Sequence, residues 1–241
     1  MKETLLLTIA AHLAADFILQ TQWMVAHKKR AGVLLLHAAI VALTAAVATG
    51  QWRHPLLAWI LVSHLGIDAL KTHWMPDRLW SLLVDQGLHV AALAAGAAVF
   101  PEGAQDGVWF HVLANPDQQR WFLRAATITA GLILCLPAGG VLISKTVKPL
   151  LSREEFNQMK GVPNGGKIIG YLERSLVMLL IWIGQPAGIG FLVTAKSILR
   201  FGDIKDSENR QITEYVIIGT FLSFGWAILV SKLVELVWNV W

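Results

Sequence analysis

Apolar stretches of roughly twenty residues recur from one end of the chain to the other, and this repetition constrains the fold more than any single motif. Inside a bilayer no water pairs with exposed backbone N–H and C=O groups, so such stretches have to close their hydrogen bonds internally, as helices. They fall at residues 4–22, 32–50, 55–72, 80–100, 121–145, 168–184, 187–200 and 213–238. The expected fold class is all-α, a polytopic helical membrane protein with seven to eight transmembrane helices. The sixth and seventh stretches are short and meet at GQPAG (Gly184 to Gly188), where Pro186 and the glycines end a helix. That pair is expected as a tight hairpin or a re-entrant segment. Composition agrees: 15% of residues are charged, against about 25% in a soluble domain.

Charge placement sets the expected orientation. With the N-terminus outside, fourteen of the 20 Lys and Arg fall in inner connections: Lys28, Lys29, Arg30, Lys71, Arg78, Lys145, Lys148, Arg153, Lys160, Lys167, Lys196, Arg200, Lys205 and Arg210. Five lie outside (Lys2, Arg53, Arg120, Arg124 and Lys232) and Arg174 lies in a span. That is a positive-inside pattern for a multi-pass protein of a bacterial inner membrane. Trp23, Trp52, Trp74, Trp80, Trp121 and Trp238 mark span ends. Glu3, His12 and Asp16 do not suit a cleavable signal peptide, so the first stretch is expected as a membrane helix. No basic run interleaved with aromatics suggests nucleic acid as a partner. The single cysteine, Cys135, lies in an apolar stretch and reads as a small core residue.

Three parts are expected: a four-helix His/Asp bundle over 1–100, an outer connecting loop over 101–120, and further membrane helices over 121–241. Between 149 and 167, SREE is a capping-box pattern from Ser152 to Glu155. It predicts a short helix resting on the inner surface through Leu151, Phe156 and Met159.

The first four stretches repeat a histidine and an aspartate four residues apart: His12/Asp16, His64/Asp68 and, reversed, Asp85/His89. The second stretch adds His37. Residues at i and i+4 share a helix face. The order reverses in the one pair-bearing stretch that runs outward. Each aspartate therefore lies toward the inside, and its histidine about one turn (roughly 6 Å) deeper. Seven candidate ligands fall in one thin layer. A carboxylate in a span costs about 2.5–3.5 kcal/mol, so three of them need compensation. Intrahelical and interhelical His–Asp pairs would supply it. A divalent transition metal, one or two ions of Zn, Mn, Fe or Co, would supply it for the whole layer at once. Lys71 lies near the face of Asp68 and reads as a snorkelling anchor or as an electrophile beside a metal. Gln20 and Gln86 adjoin the layer. His27, His54, His73 and His111 read as surface residues.

HLAADFILQTQW, LLLHAAI, SHLGIDALK and DQGLHV, in that order, resemble the bacterial membrane-protein family catalogued as domain of unknown function 3307. GYLERSLV, AKSILRF and TEYVIIGTFLSF resemble its members in the second half. The family name implies no activity. The His and Asp motifs in short helices are similar, more loosely, to the LexA-regulated inner-membrane metal-dependent hydrolases, which implies hydrolysis by analogy.

In the second half, Glu173, Arg174, Lys196, Arg200 and Glu214 form a charged set. It is expected as an ion-pair network or as a site for an anionic headgroup. GVPNGGKI (161–168) fits GxxxxGK but puts Ile168 where a phosphate-binding loop needs Ser or Thr, and no strand precedes it, so nucleotide hydrolysis is rejected. The function expected first is a metal-dependent hydrolase at the cytoplasmic leaflet, acting on an amphipathic, phosphate-containing substrate with Asp85 as general base. The rivals are a metal-ion or small-solute transporter and a structural protein in which His–Asp pairs are internal glue.

Overall fold

The computed structural model describes residues 1–151, 164–201 and 210–241, and among them every regular element is helical. Two compact units form: Met1–Ile133 with Val237–Trp241, and Leu134–Leu236.

The first unit contains α1 (Lys2–Ala14), α2 (Gln22–His27), α3 (Ala31–Thr49), α4 (Pro55–Trp74), α5 (Leu79–Val99), α6 (Val108–Val112) and α7 (Pro116–Ile133). α3 packs on α1 and α4, α5 packs on α4 and α1, and α7 lies against α1. The contact layer is Ala11, Ala15, Val41, Ala45, Leu56, Ile60 and Leu93. Three of the seven are alanines, which fits helices in lipid associating by the close backbone approach that small residues allow. The first helix does not run through to residue 22. It widens into a π turn over Ala15–Leu19, where Gln20 N–H donates to Ala15 O at 2.9 Å, and it ends at Gln20 in extended backbone. Thr21 then caps α2 as a separate short helix, accepting from Met24 N–H.

The expected outer loop, 101–120, is tied down instead. Thr4 Oγ1 donates to Pro101 O and accepts from Ala104 N–H. Gly50 (φ 70°) ends α3, and its carbonyl accepts from Val108 N–H. Gly107 sits so close to α3 that a Cβ there would lie 1.9 Å from Thr49 O. α6 and the start of α7, at Pro116, take up the rest of the loop.

The second unit holds a π turn (Leu134–Ala138), α8 (Gly139–Val147), α9 (Gly165–Trp182), α10 (Gly188–Phe201) and most of α11 (Arg210–Trp238). Its core is Cys135, Val177, Met178, Phe224, Ala227, Val230 and Val234. The π turn contains Pro137 and frees carbonyls. Leu134 O accepts from Trp226 Nε1, and Leu136 O from Arg174 Nη2. Gly184 (φ 70°) breaks the chain between α9 and α10 at GQPAG, as expected. The SREE helix proposed over 149–167 falls mostly outside the described residues.

Among the described residues, four segments are long and apolar enough to cross a membrane: Ala31–Thr49, Leu79–Val99, Pro116–Leu150 and Thr213–Trp238. α10 is a shorter apolar helix. α1 is only 13 residues long, α4 carries His64, Asp68, Lys71 and His73, and α9 carries Lys167, Glu173 and Arg174.

Candidate metal centre

All seven histidines and aspartates of the sequence motif converge in the first unit. His12 comes from the last turn of α1, Asp16 from the π turn, His37 from α3, His64 and Asp68 from α4, and Asp85 and His89 from α5. Six are at most 3% exposed, and the Asp16 side chain is 9% exposed. The π turn re-aims Asp16 while leaving it 3.7 Å from His12 Nδ1.

Four atoms form a closed ring. Asp16 Oδ1 lies 3.3 Å from His37 Nε2, which lies 3.6 Å from Asp68 Oδ2. Asp68 Oδ2 lies 3.4 Å from His64 Nε2, which lies 3.7 Å from Asp16 Oδ1. All four atoms are buried and none has a hydrogen-bond partner. A tetrahedral zinc shell with bonds of about 2.0–2.2 Å has ligand–ligand edges of about 3.3–3.6 Å. Four of the six edges of such a shell, between two imidazole nitrogens and two carboxylate oxygens, thus stand at or close to that spacing. His12, Asp16 and His64, and separately Asp68, Asp85 and His89, each offer ligand atoms within 4.8 Å of one another.

Surrounding hydrogen bonds fix which atoms are bare. Gln86 Nε2 donates to Asp16 Oδ2 at 3.3 Å and to Asp85 Oδ2 at 3.1 Å, so its Oε1 faces His12 Nε2 at 3.3 Å. Only an N–H can meet that oxygen, so the proton of neutral His12 is on Nε2 and the Nδ1 lone pair points toward Asp16 Oδ1. His89 Nδ1–H donates to the Asp85 carbonyl at 2.9 Å, which leaves Nε2 as a buried acceptor without a partner. At His12 an acceptor thus faces an acceptor, an arrangement a cation resolves. The imidazoles adjoin one another, with ring centroids 5.0 Å apart for His37–His64, 4.3 Å for His64–His89 and 4.9 Å for His89–His12. Four rings this close cannot all be cations.

Two lysines reach the layer. Lys71 Nζ lies 2.6 Å from Asp85 Oδ2, so it does more than anchor to the surface. Lys28 Nζ straddles the Asp68 carboxylate, 2.8 Å from each oxygen, hydrogen-bonding Oδ1 and ion-pairing with the ring atom Oδ2. Lys28 was missed in the sequence because Lys28-Lys29-Arg30 reads as an interfacial charge run; only the end of α2 just before it brings its side chain over α4. Gln20 is half-buried with Nε2 unpartnered, so it orients none of the described ligands. His54 caps α4 by accepting from Leu56 N–H, while His27 and His73 donate to carbonyls of their own helices. These three and the exposed His111 stay outside the layer.

In the second unit, Lys196 pairs with Glu173 at 2.7 Å. Arg174 is buried and binds Ser223 Oγ at 3.1 Å and Leu136 O at 3.0 Å rather than a carboxylate. Glu214 is exposed on the second turn of α11. Arg200 belongs to α10, but its side chain lies outside the described residues.

Residues 4–114 match the model of the family described as Protein of unknown function (DUF3307), so the resemblance drawn from the four motifs holds over the stretch that carries all seven histidines and aspartates of the layer. No curated protein and no solved structure matches the chain.

Proposed function

We propose that this chain is an integral membrane, metal-dependent hydrolase working at the cytoplasmic leaflet on an amphipathic, phosphate-containing substrate. The observation that carries the reading is the ring of four buried atoms, without hydrogen bonds, from Asp16, His37, His64 and Asp68, with edges of 3.3–3.7 Å. The topology that goes with it has seven to eight spans in a bacterial inner membrane and an outer N-terminus, on the positive-inside pattern of the sequence.

Two imidazoles and two carboxylates suit Zn, Mn, Fe or Co better than Mg or Ca. Held by these residues, a divalent ion would supply a water of lowered pKa, toward about 7, and a Lewis acid for a phosphoryl or acyl oxygen. Gln86 holds Asp16 by its outer oxygen, so the inner oxygen keeps its aim, and Lys28 fixes Asp68 through both oxygens. Asp85 is the spare carboxylate, positioned to take a proton from water, and Lys71 beside it offers an ammonium to the oxyanion. Charge supports an anionic substrate. Three carboxylates and two ammoniums, with neutral imidazoles, sum to −1, so one divalent ion leaves +1.

Elemental analysis of purified protein tests the metal, with His64→Ala and Asp68→Ala beside it. The expected result is one tightly held transition-metal ion in the native chain and none in the variants. No bound metal in the native chain sinks the reading. Turnover of a phospholipid or isoprenoid phosphate in vesicles, measured against metal flux into proteoliposomes, then separates hydrolase from transporter.

A further inference from the structure

Beside the four-atom ring, the layer contains polar atoms that a single ion leaves unused. His89 Nε2 and Asp85 Oδ1 are buried without hydrogen-bond partners, on residues 2% and 1% exposed. With Asp68 they form a set whose ligand atoms lie within 4.8 Å of one another. His89 is held in the tautomer that leaves Nε2 bare, the arrangement typical of a metal-ligating histidine. The cation now serving this corner is the Lys71 ammonium on Asp85 Oδ2, and the Lys71 side chain is 29% exposed rather than enclosed. Resting on the hydrolase reading, we infer that Asp85, His89 and Asp68 are a second divalent-cation position, bridged to the first through Asp68, and that Lys71 holds its place until an ion and an oxyanion enter together.

Charge explains the coupling. With Lys71 withdrawn, three carboxylates, Lys28 and two divalent ions sum to +2, the complement of a phosphate dianion. A second ion without that anion leaves buried charge unbalanced. Asp85 Oδ1 then serves the ion, while Oδ2, freed from Lys71, keeps its bond from Gln86 and can take a proton. Lys71 is thus a gate on the stoichiometry of the site.

The test counts ions. Full-length protein in detergent is titrated with Co²⁺, with and without inorganic phosphate, and bound metal is measured after gel filtration. The expected count is one equivalent without phosphate and two with it. Lys71→Met should tighten the second equivalent at least about tenfold, since a competing ammonium is gone. His89→Ala and Asp85→Asn should each keep the first equivalent and lose the second, and the retained equivalent reports a folded centre. Native protein and Lys71→Met both stopping at one equivalent with phosphate present would overturn the inference. So would a second equivalent that survives His89→Ala. A count of zero in every condition would instead overturn the hydrolase reading, which keeps the two failures apart.

Discussion

Replacing His37 by phenylalanine separates a metal ligand from structural glue, because the two roles give the change opposite dependence on metal. His37 is wholly buried, and neither ring nitrogen has a hydrogen bond although two carboxylates lie 3.3 and 3.6 Å from Nε2. An unpartnered buried polar group costs about 1–3 kcal/mol. His37→Phe removes two such groups and fills the space, against an overpacking cost of about 1–3 kcal/mol. Asp16 keeps Gln86 and Asp68 keeps Lys28. With chelator present, the variant should therefore be about as stable as the native chain, or more so. With ion at a hundred times its Kd, the native chain gains about 2.7 kcal/mol and the variant little, a gap of about 5 °C or more in Tm. The assay is thermal unfolding in detergent followed by tryptophan fluorescence, with Zn²⁺ and with EDTA. If His37 were glue, breaking its buried pairs would cost about 3–5 kcal/mol whether or not metal is present. Equal destabilisation in both conditions would refute the ligand role.

Other outcomes follow from the same geometry. Gln86→Leu should weaken metal binding about 10–100-fold by releasing the His12 tautomer and the outer oxygen of Asp16, read by competition with a chelating dye. Metal affinity should rise with pH, because imidazole ligands must be neutral and binding expels protons; calorimetry in buffers of different ionisation enthalpy counts them. Gly107→Ala should destabilise the first unit by about 1–3 kcal/mol in the same melts, since its Cβ meets Thr49 O, while Gly66→Ala, with nothing within 4 Å inside α4, should stabilise by about 0.5–1 kcal/mol. Arg174→Met should cost stability by leaving Leu136 O unpaired, and should leave metal content at its native value.

Where helices are apolar throughout, sequence and structure agree closely: 32–50 became Ala31–Thr49, 80–100 became Leu79–Val99, and 213–238 became Thr213–Trp238. Continuous apolarity sets such spans locally, so it is visible along the chain. The His/Asp layer was legible for a related reason, because i,i+4 spacing fixes a shared face and alternating helix direction fixes a shared depth. The π turn at Asp16 was not, since widening a helix by one residue leaves no compositional trace. The seal over 101–120 depends on Thr4, Thr49 and Gly50, which lie far away along the chain. Lys28 and the Leu136 partner of Arg174 were hidden for the same cause: each contact spans dozens of residues and depends on how a neighbouring helix ends or bulges.

X-ray absorption on the zinc-loaded full-length protein tests the centre most directly. Binding by Asp16, His37, His64 and Asp68 predicts a four-coordinate shell of two imidazole nitrogens and two carboxylate oxygens at about 2.0–2.2 Å. His37→Phe should lower the imidazole count by one. A shell without imidazole, or one unchanged by that substitution, would mean that the four buried ring atoms do not hold the ion.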